Sequence, residues 1–281
     1  MDWQVMTRAE GSPMTRTHRS GPDRRTVLRG AALASGAAVL GGAFTAGGAN
    51  ASAGVAEPPL HTRADWGARS PAGRVQILTT APSYIVVHHT ATANSTDYSL
   101  SHAYALSRAI QNYHMDSNGW LDTGQQLTIS RGGHVMEGRD RSFAAIREGS
   151  HVVGAHVANN NSTCIGIENE GLYTSVSPTG ALTDALVATL AWLCGAYRLD
   201  PHSAILGHRD FNATACPGDV LYALLPELRD AVADAMLAPV LGTVAHRAPA
   251  GNGPTYPTVP EDETDRLFYH GPARGPDDFT R

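Results

Sequence analysis

The sequence predicts one α/β domain with a central, mostly mixed β-sheet flanked by helices. Three observations carry that prediction. Short apolar runs such as Tyr84-Ile85-Val86-Val87 and Cys164-Ile165-Gly166-Ile167 have the length of buried strands. They alternate with stretches in which apolar residues recur at helical spacing, the pattern of a sheet covered by helices. Roughly 180 residues separate two flanks that lack core character, a normal size for one domain.

Each element follows in order. Tyr84 to Val87 is a strand that delivers His88 at its C-terminal end. Leu100, Tyr104, Ile110 and Tyr113 approximate helical spacing and stop before Ser117-Asn118-Gly119. Leu127 to Ser130 and His134 to Glu137, joined at Gly132-Gly133, read as a β-hairpin. Cys164 to Glu168 is a second buried strand. Leu186, Leu190, Leu193 and Tyr197 mark one face of a helix, with Thr183 as the expected cap. Ala204-Ile205-Leu206 is a short strand leading to His208. The last helix carries Leu224, Leu228, Val232 and Met236, with Pro226 starting its second part.

The flanks read differently. Arg24-Arg25 precedes an uncharged Ala, Gly, Leu and Val run, and Ala49-Asn50-Ala51 or Ala51-Ser52-Ala53 supplies a small-residue cleavage site. Residues 1–53 are therefore expected to be a twin-arginine export leader, and the mature chain to be secreted to the cell-wall exterior. The alternative is a membrane anchor. Gly36, Gly41, Gly42, Gly47 and Gly48 make the run too weakly apolar for a stable one. Residues 54–238 form the expected domain. Residues 239–281, rich in Pro, Gly, Asp and Arg, read as a mobile C-terminal tail.

The full chain carries 21 basic and 26 acidic residues, a formal net charge of −5. Removing residues 1–51 takes away six Arg and three acids, leaving 15 basic and 23 acidic residues and a net charge of −8. Such a surface argues against nucleic acid as a partner. The chain contains no lysine, so every fixed side-chain cation is Arg and no lysine can act as a catalytic acid.

The strongest chemical signal is His88 after one strand, then His208 after another, with Cys216-Pro217-Gly218 closing the loop that follows. Two imidazoles and one thiolate are the number of protein ligands a catalytic zinc site uses while keeping one position open. Without a Cys-x-x-Cys pair the pattern points to hydrolysis rather than scaffolding. With Cys216 on a metal, Cys164 and Cys194 are left either to pair as a disulfide or to stay reduced as buried apolar residues.

Further motifs run along the core: Arg63-Ala64-Asp65-Trp66-Gly67-Ala68-Arg69, Val86-Val87-His88-His89-Thr90 and Gly119-Trp120-Leu121-Asp122-Thr123-Gly124. Glu137-Gly138-Arg139, Gly154-Ala155-His156, Ile165-Gly166-Ile167-Glu168 and Gly207-His208-Arg209 come after them. In this order they resemble the peptidoglycan recognition proteins and type-2 N-acetylmuramoyl-L-alanine amidases, a group that includes phage amidase lysozymes. The resemblance implies a zinc cleft on one face of the sheet, with His88, His208 and Cys216 as ligands of Zn2+. It implies cleavage of the amide between the lactyl group of N-acetylmuramic acid and L-alanine. The expected partners are peptidoglycan or muropeptides, met by a monomer without a stable membrane anchor.

One position departs from the family pattern. Many relatives carry a tyrosine where this chain has Gln125, which can donate a hydrogen bond but cannot transfer a proton at ordinary pH. A second branch of the family uses a glutamate at the position of Glu168. The resulting assignment is Glu168 as general base and then acid, with Thr214 and Gln125 as hydrogen-bonding helpers. Glu170 is the rival carboxylate, and a purely orienting role for Glu168 is the bland alternative. His89, His156 and Arg139 are expected at the substrate, Arg139 on a stem-peptide carboxylate. Asn159-Asn160-Asn161 reads as a polar turn or a glycan contact, and Trp66 as a packing residue. Two other classes stay open: a module that binds muropeptides without cutting them, and a cysteine hydrolase using Cys216 and His208.

Overall fold

A computed structural model of the protein describes residues 55–241, 268, 270–276 and 278. The expected export leader, residues 1–53, lies outside them. In chain order the elements are β1 (Leu60–His61), α1 (Arg63–Trp66), β2 (Ile77–Leu78), β3 (Tyr84–His89) and α2 (Leu100–Asn112). Then come β4 (Leu127–Ile129), β5 (Val135–Glu137), α3 (Ser142–Arg147), β6 (His151–Val152) and β7 (Cys164–Asn169). The chain continues through α4 (Gly180–Tyr197), α5 (Pro201–Ala204), β8 (Ile205–Gly207), α6 (Asp219–Ala223) and α7 (Leu225–Leu241).

Six strands form one sheet in the order β1-β5-β4-β7-β3-β8. Only the β4–β5 hairpin is antiparallel within it; the other neighbours run parallel. β2 and β6 make a separate antiparallel pair. The fold is thus a mixed α/β arrangement around a mostly parallel sheet.

Alternation along β3 and β7 splits the molecule into two faces. Ile85, Val87, Ile165 and Ile167 point into the main core, against Leu182, Leu186 and Leu190 of α4 and Leu228 and Val232 of α7. Each such side chain contributes about 1.5–3 kcal/mol by leaving water. α4 is long and apolar enough to cross a membrane, but those apolar residues are spent on this core. The other face begins apolar, with Val86 and Cys164 packed on Val157. One turn of register further on it presents His88 beside Glu168.

One expectation is corrected here, and one open alternative is decided. The cap of α4 is Thr179, whose hydroxyl accepts the amide of Leu182 at 3.1 Å; Thr183 lies inside the helix and donates to the Thr179 carbonyl at 3.0 Å. Leu182 is fully buried, so the helix begins a turn earlier than the leucine spacing from Leu186 indicated. Cys164 and Cys194 are both free. They cannot pair, because Cys164 faces Val86 and Val157 while Cys194 sits in α4 within the core on the opposite side of the sheet. Burial pushes both thiols up to about 12, which leaves them inert.

Candidate metal centre

β3 carries His88 next to its last residue and β8 leads directly to His208, and both strands are parallel neighbours, so their C-terminal ends lie side by side. After His208 the chain turns back, and the Arg209 amide bonds the Cys216 carbonyl at 3.1 Å. This loop returns Cys216 to the strand ends, where Sγ lies 3.6 Å from His88 Nδ1. The three ligands expected from the sequence therefore meet. A fourth donor, His270, joins them: one donor atom each from His88, His208, Cys216 and His270 lies within 4.8 Å of the others.

The hydrogen bonds around the imidazoles settle which nitrogen is available. His156 Nε2 sits 3.1 Å from the Cys164 carbonyl, which can only accept, so His156 donates from Nε2 and its Nδ1 is an acceptor. His88 Nε2 lies 3.0 Å from that Nδ1 and must donate to it. His88 Nδ1 is left with a lone pair directed at the cluster. Likewise His208 Nε2 faces the Pro272 carbonyl at 2.9 Å and Asn212 Oδ1 at 3.1 Å, which frees Nδ1 of His208. His270 Nδ1 lies 3.4 Å from it. Burial, then the neighbouring imidazoles, holds His88 well below its ordinary pKa, and burial pushes His208 down to about 4. Neutral imidazoles with inward lone pairs and a buried sulfur are what a divalent metal requires. The residues fit a metal.

Glu168 stands at the edge of this cluster, fully buried and in register with His88. His270 Nε2 lies 2.7 Å from Glu168 Oε1. The two side chains form an ion pair within hydrogen-bonding reach, and Oε2 of Glu168 has no hydrogen-bonding donor among the described residues. Burial opposes charge on His270, but the Glu168 carboxylate, with Cys216 assisting, pushes its pKa up to about 10, so a metal would have to displace the proton on Nδ1. The rival Glu170 is committed elsewhere: Oε1 meets His102 Nε2 at 2.5 Å and Oε2 accepts the Arg131 amide at 2.7 Å.

Other expected site residues fall in different places. Thr214 Oγ1 donates to the His270 carbonyl at 2.6 Å and accepts the Cys216 amide at 3.1 Å, so it borders the cluster. Gln125 is buried and its amide donates to Thr128 at 2.9 Å, the strand partner of Glu168. His156 is not at a substrate surface. It is 1% exposed and braces His88 from behind, a placement that requires Gly166, because a Cβ there would fall 2.6 Å from its ring. His89 is also turned away from the cleft: alternation sends its side chain to the helix-covered face, where Nδ1 accepts the Tyr173 amide at 3.3 Å. Only its backbone N–H reaches Cys216, at 3.4 Å. Arg139 donates to the Thr123 carbonyl at 2.7 Å and lines a cavity of about 550 Å³ with Arg74, Trp120 and Arg274. Asn161 accepts the amides of His156 and Val157, so the Asn159–Asn161 segment is a structural turn. Trp66 packs, with its indole N–H on the Glu137 carbonyl at 2.8 Å.

His270 was not foreseen, since residues 239–281 offered no sustained apolar pattern. The described part of that stretch is packed rather than tail-like. Asp278 accepts the amides of Asn159 and Asn161, and Asn161 donates to the Ala273 carbonyl.

Comparison with known proteins decides the family. The Amidase_2 model, described as N-acetylmuramoyl-L-alanine amidase, matches residues 78–219. The chain belongs to this family. The human (Homo sapiens) N-acetylmuramoyl-L-alanine amidase is 36% identical over 169 residues, covering 60% of this chain and 28% of that protein. This chain therefore spans under a third of that relative's length. Peptidoglycan-recognition protein SC2 of Drosophila melanogaster is 35% identical over 159 residues, 56% of this chain and 79% of that one. Among solved structures, a variant of Drosophila PGRP-LB in complex with tracheal cytotoxin superposes with a TM-score of 0.51 at 30% identity, covering 58% of this chain and 90% of that chain. This Amidase_2 protein holds His88, Glu168, His208 and Cys216 inside the matched segment and His270 outside it.

Proposed function

We propose that the protein is an exported zinc-dependent N-acetylmuramoyl-L-alanine amidase that hydrolyses the lactyl-amide bond of peptidoglycan. One observation carries this reading: two lone-pair-bearing nitrogens and a thiol converge beside the buried carboxylate of Glu168, whose Oε2 has no hydrogen-bonding donor among the described residues. His88, His208 and Cys216 would hold the metal, which would supply Lewis-acid polarisation of the scissile carbonyl and lower the pKa of water.

The chain's own residues do the rest. Glu168 takes the proton of the attacking water and passes it to the departing alanine amine, whereas Glu170 is committed to His102 and the Arg131 amide. His156 fixes the ring of His88, and Asn212 that of His208, so the ligands are oriented before substrate arrives. Gln125 holds Thr128 next to Glu168 and makes no proton transfer. The cavity with Arg74, Arg139 and Arg274 suits the carboxylates of a stem peptide, in keeping with the Drosophila PGRP-LB variant in complex with tracheal cytotoxin. Export by the twin-arginine route rests on residues 1–53 alone.

The cysteine-hydrolase alternative is the weaker reading, because Cys216 is 1% exposed and its Sγ lies 3.6 Å from Nδ1 of His88, not paired with His208 as that reading expects. The test uses the chain with its fourth donor removed, His270→Ala, and a muramyl tripeptide. Chelation should stop release of the stem peptide and zinc should restore it. Release that survives chelation would contradict the metal reading.

A further inference from the structure

We infer that His270 is a fourth metal donor and that the segment around it is a built-in plug, so that the protein as it stands holds its metal in a closed site. The inference rests on the metal reading above and adds a residue and a consequence that the family segment, residues 78–219, does not contain.

His270 takes both seats that hydrolysis needs. Its Nδ1 points at the cluster beside His208 Nδ1, where the open position of a three-ligand site would lie. Its Nε2 is on Glu168, the carboxylate assigned to handle the water proton. A carboxylate on the outer nitrogen of a metal-bound histidine orients that ring and raises its basicity. Glu168 thus serves as the orienting partner of His270 while the segment is docked and becomes a base when it leaves. Three imidazoles and one thiolate would close the site against water and substrate alike.

The docking is specific, not incidental. The carbonyls of His270, Pro272 and Ala273 accept from Thr214, His208 and Asn161 in turn. Gly271 adopts φ 121°, and a Cβ there would fall 2.5 Å from Thr214 Oγ1 and 3.2 Å from the His208 ring, so only glycine seats at that point. Asp278 clasps the far end by accepting the Asn159 and Asn161 amides at 2.7 and 3.1 Å. Asn212, which orients His208, also accepts the Ala158 amide at 3.0 Å, so the loop that receives the segment and the metal ligand share one support. Residues Phe268, His270 and Gly271 wall a second cavity of about 330 Å³ that shares Trp120 and Arg274 with the larger one. The segment therefore stands where a muramyl peptide would pass from the arginine-lined cavity to the metal.

The experiment compares the zinc-loaded full chain with His270→Ala and Asp278→Ala. X-ray absorption counts the donors, and release from muramyl tripeptide is measured beside it. The full chain should show three nitrogens and one sulfur and release slowly. His270→Ala should show two nitrogens, one sulfur and an oxygen, bind zinc about tenfold more weakly, and release at least tenfold faster. Asp278→Ala, eight residues beyond His270 and bonded to Asn159, Asn161 and Gly275, should move release in the same direction and carries the test if His270→Ala does not fold. An oxygen already in the full chain's shell, or no gain of rate in either variant, would overturn the plug while leaving the metal reading intact. Absence of zinc binding in every chain would sink both, and the donor count distinguishes the two failures.

Discussion

The two faces of β3 and β7 are built from alternate residues of the same strands, yet they obey opposite rules. On the helix-covered face Ile85, Val87, Ile165 and Ile167 bury apolar surface against α4 and α7. On the other face, one residue out of phase, His88 and Glu168 are fully buried at the end of a small apolar patch of Val86, Cys164 and Val157. The first face supplies the stability that lets the second hold neutral imidazoles and a buried carboxylate in place. Mutations should separate the two: one face governs unfolding, the other governs chemistry.

The largest effect is expected at Glu168. In the His270→Ala background, Glu168→Gln should lower release from muramyl tripeptide roughly a hundred- to ten-thousand-fold while zinc content stays at one per chain. A variant that kept most of its rate would assign the proton transfer elsewhere. Its neighbour across the strand should behave in the reverse way. Ile167→Ala should cost about 2–5 kcal/mol in urea unfolding with the rate per folded molecule unchanged.

A smaller effect separates the faces by pH. Burial pushes His151 down to about 4, against its hydrogen bond to the Asn161 carbonyl at 2.9 Å. Below pH of about 6.5 the unfolded chain takes a proton that the folded chain refuses, so this contribution to stability is complete above that pH and is lost as pH falls towards 4. His151→Gln should flatten the slope of stability between pH 6 and 5 by up to about 1.4 kcal/mol per unit. An unchanged slope would show that His151 charges in the folded protein. Smallest of all, Thr179→Ala should cost about 1 kcal/mol and Thr183→Ala less, since only Thr179 caps α4. Equal losses would return the cap to Thr183.

The same contrast explains what could be read from the sequence. β3, β7 and the body of α4 were legible because continuous apolar runs leave few alternatives. The six-strand order was not, because β1, β2 and β6 have two residues each and carry no period. α3 was missed for a related reason: six residues, Ser142 to Arg147, are too short for a helical stripe. His88, His208 and Cys216 stood out by type and spacing. The roles of His89 and His156 did not, since which face a residue takes depends on where the strand ends and how the next loop returns. His270 lies in a stretch dominated by Pro, Gly, Asp and Arg, where a lone histidine has no pattern to mark it. Its one local signal was the aromatic pair Phe268-Tyr269 just before His270-Gly271-Pro272.

Zinc titration of the full chain beside Cys216→Ser tests the metal centre most directly. One tightly held ion per chain, lost or greatly weakened in the serine variant, is the predicted result. Equal binding by both chains, or none by the full chain, would contradict it.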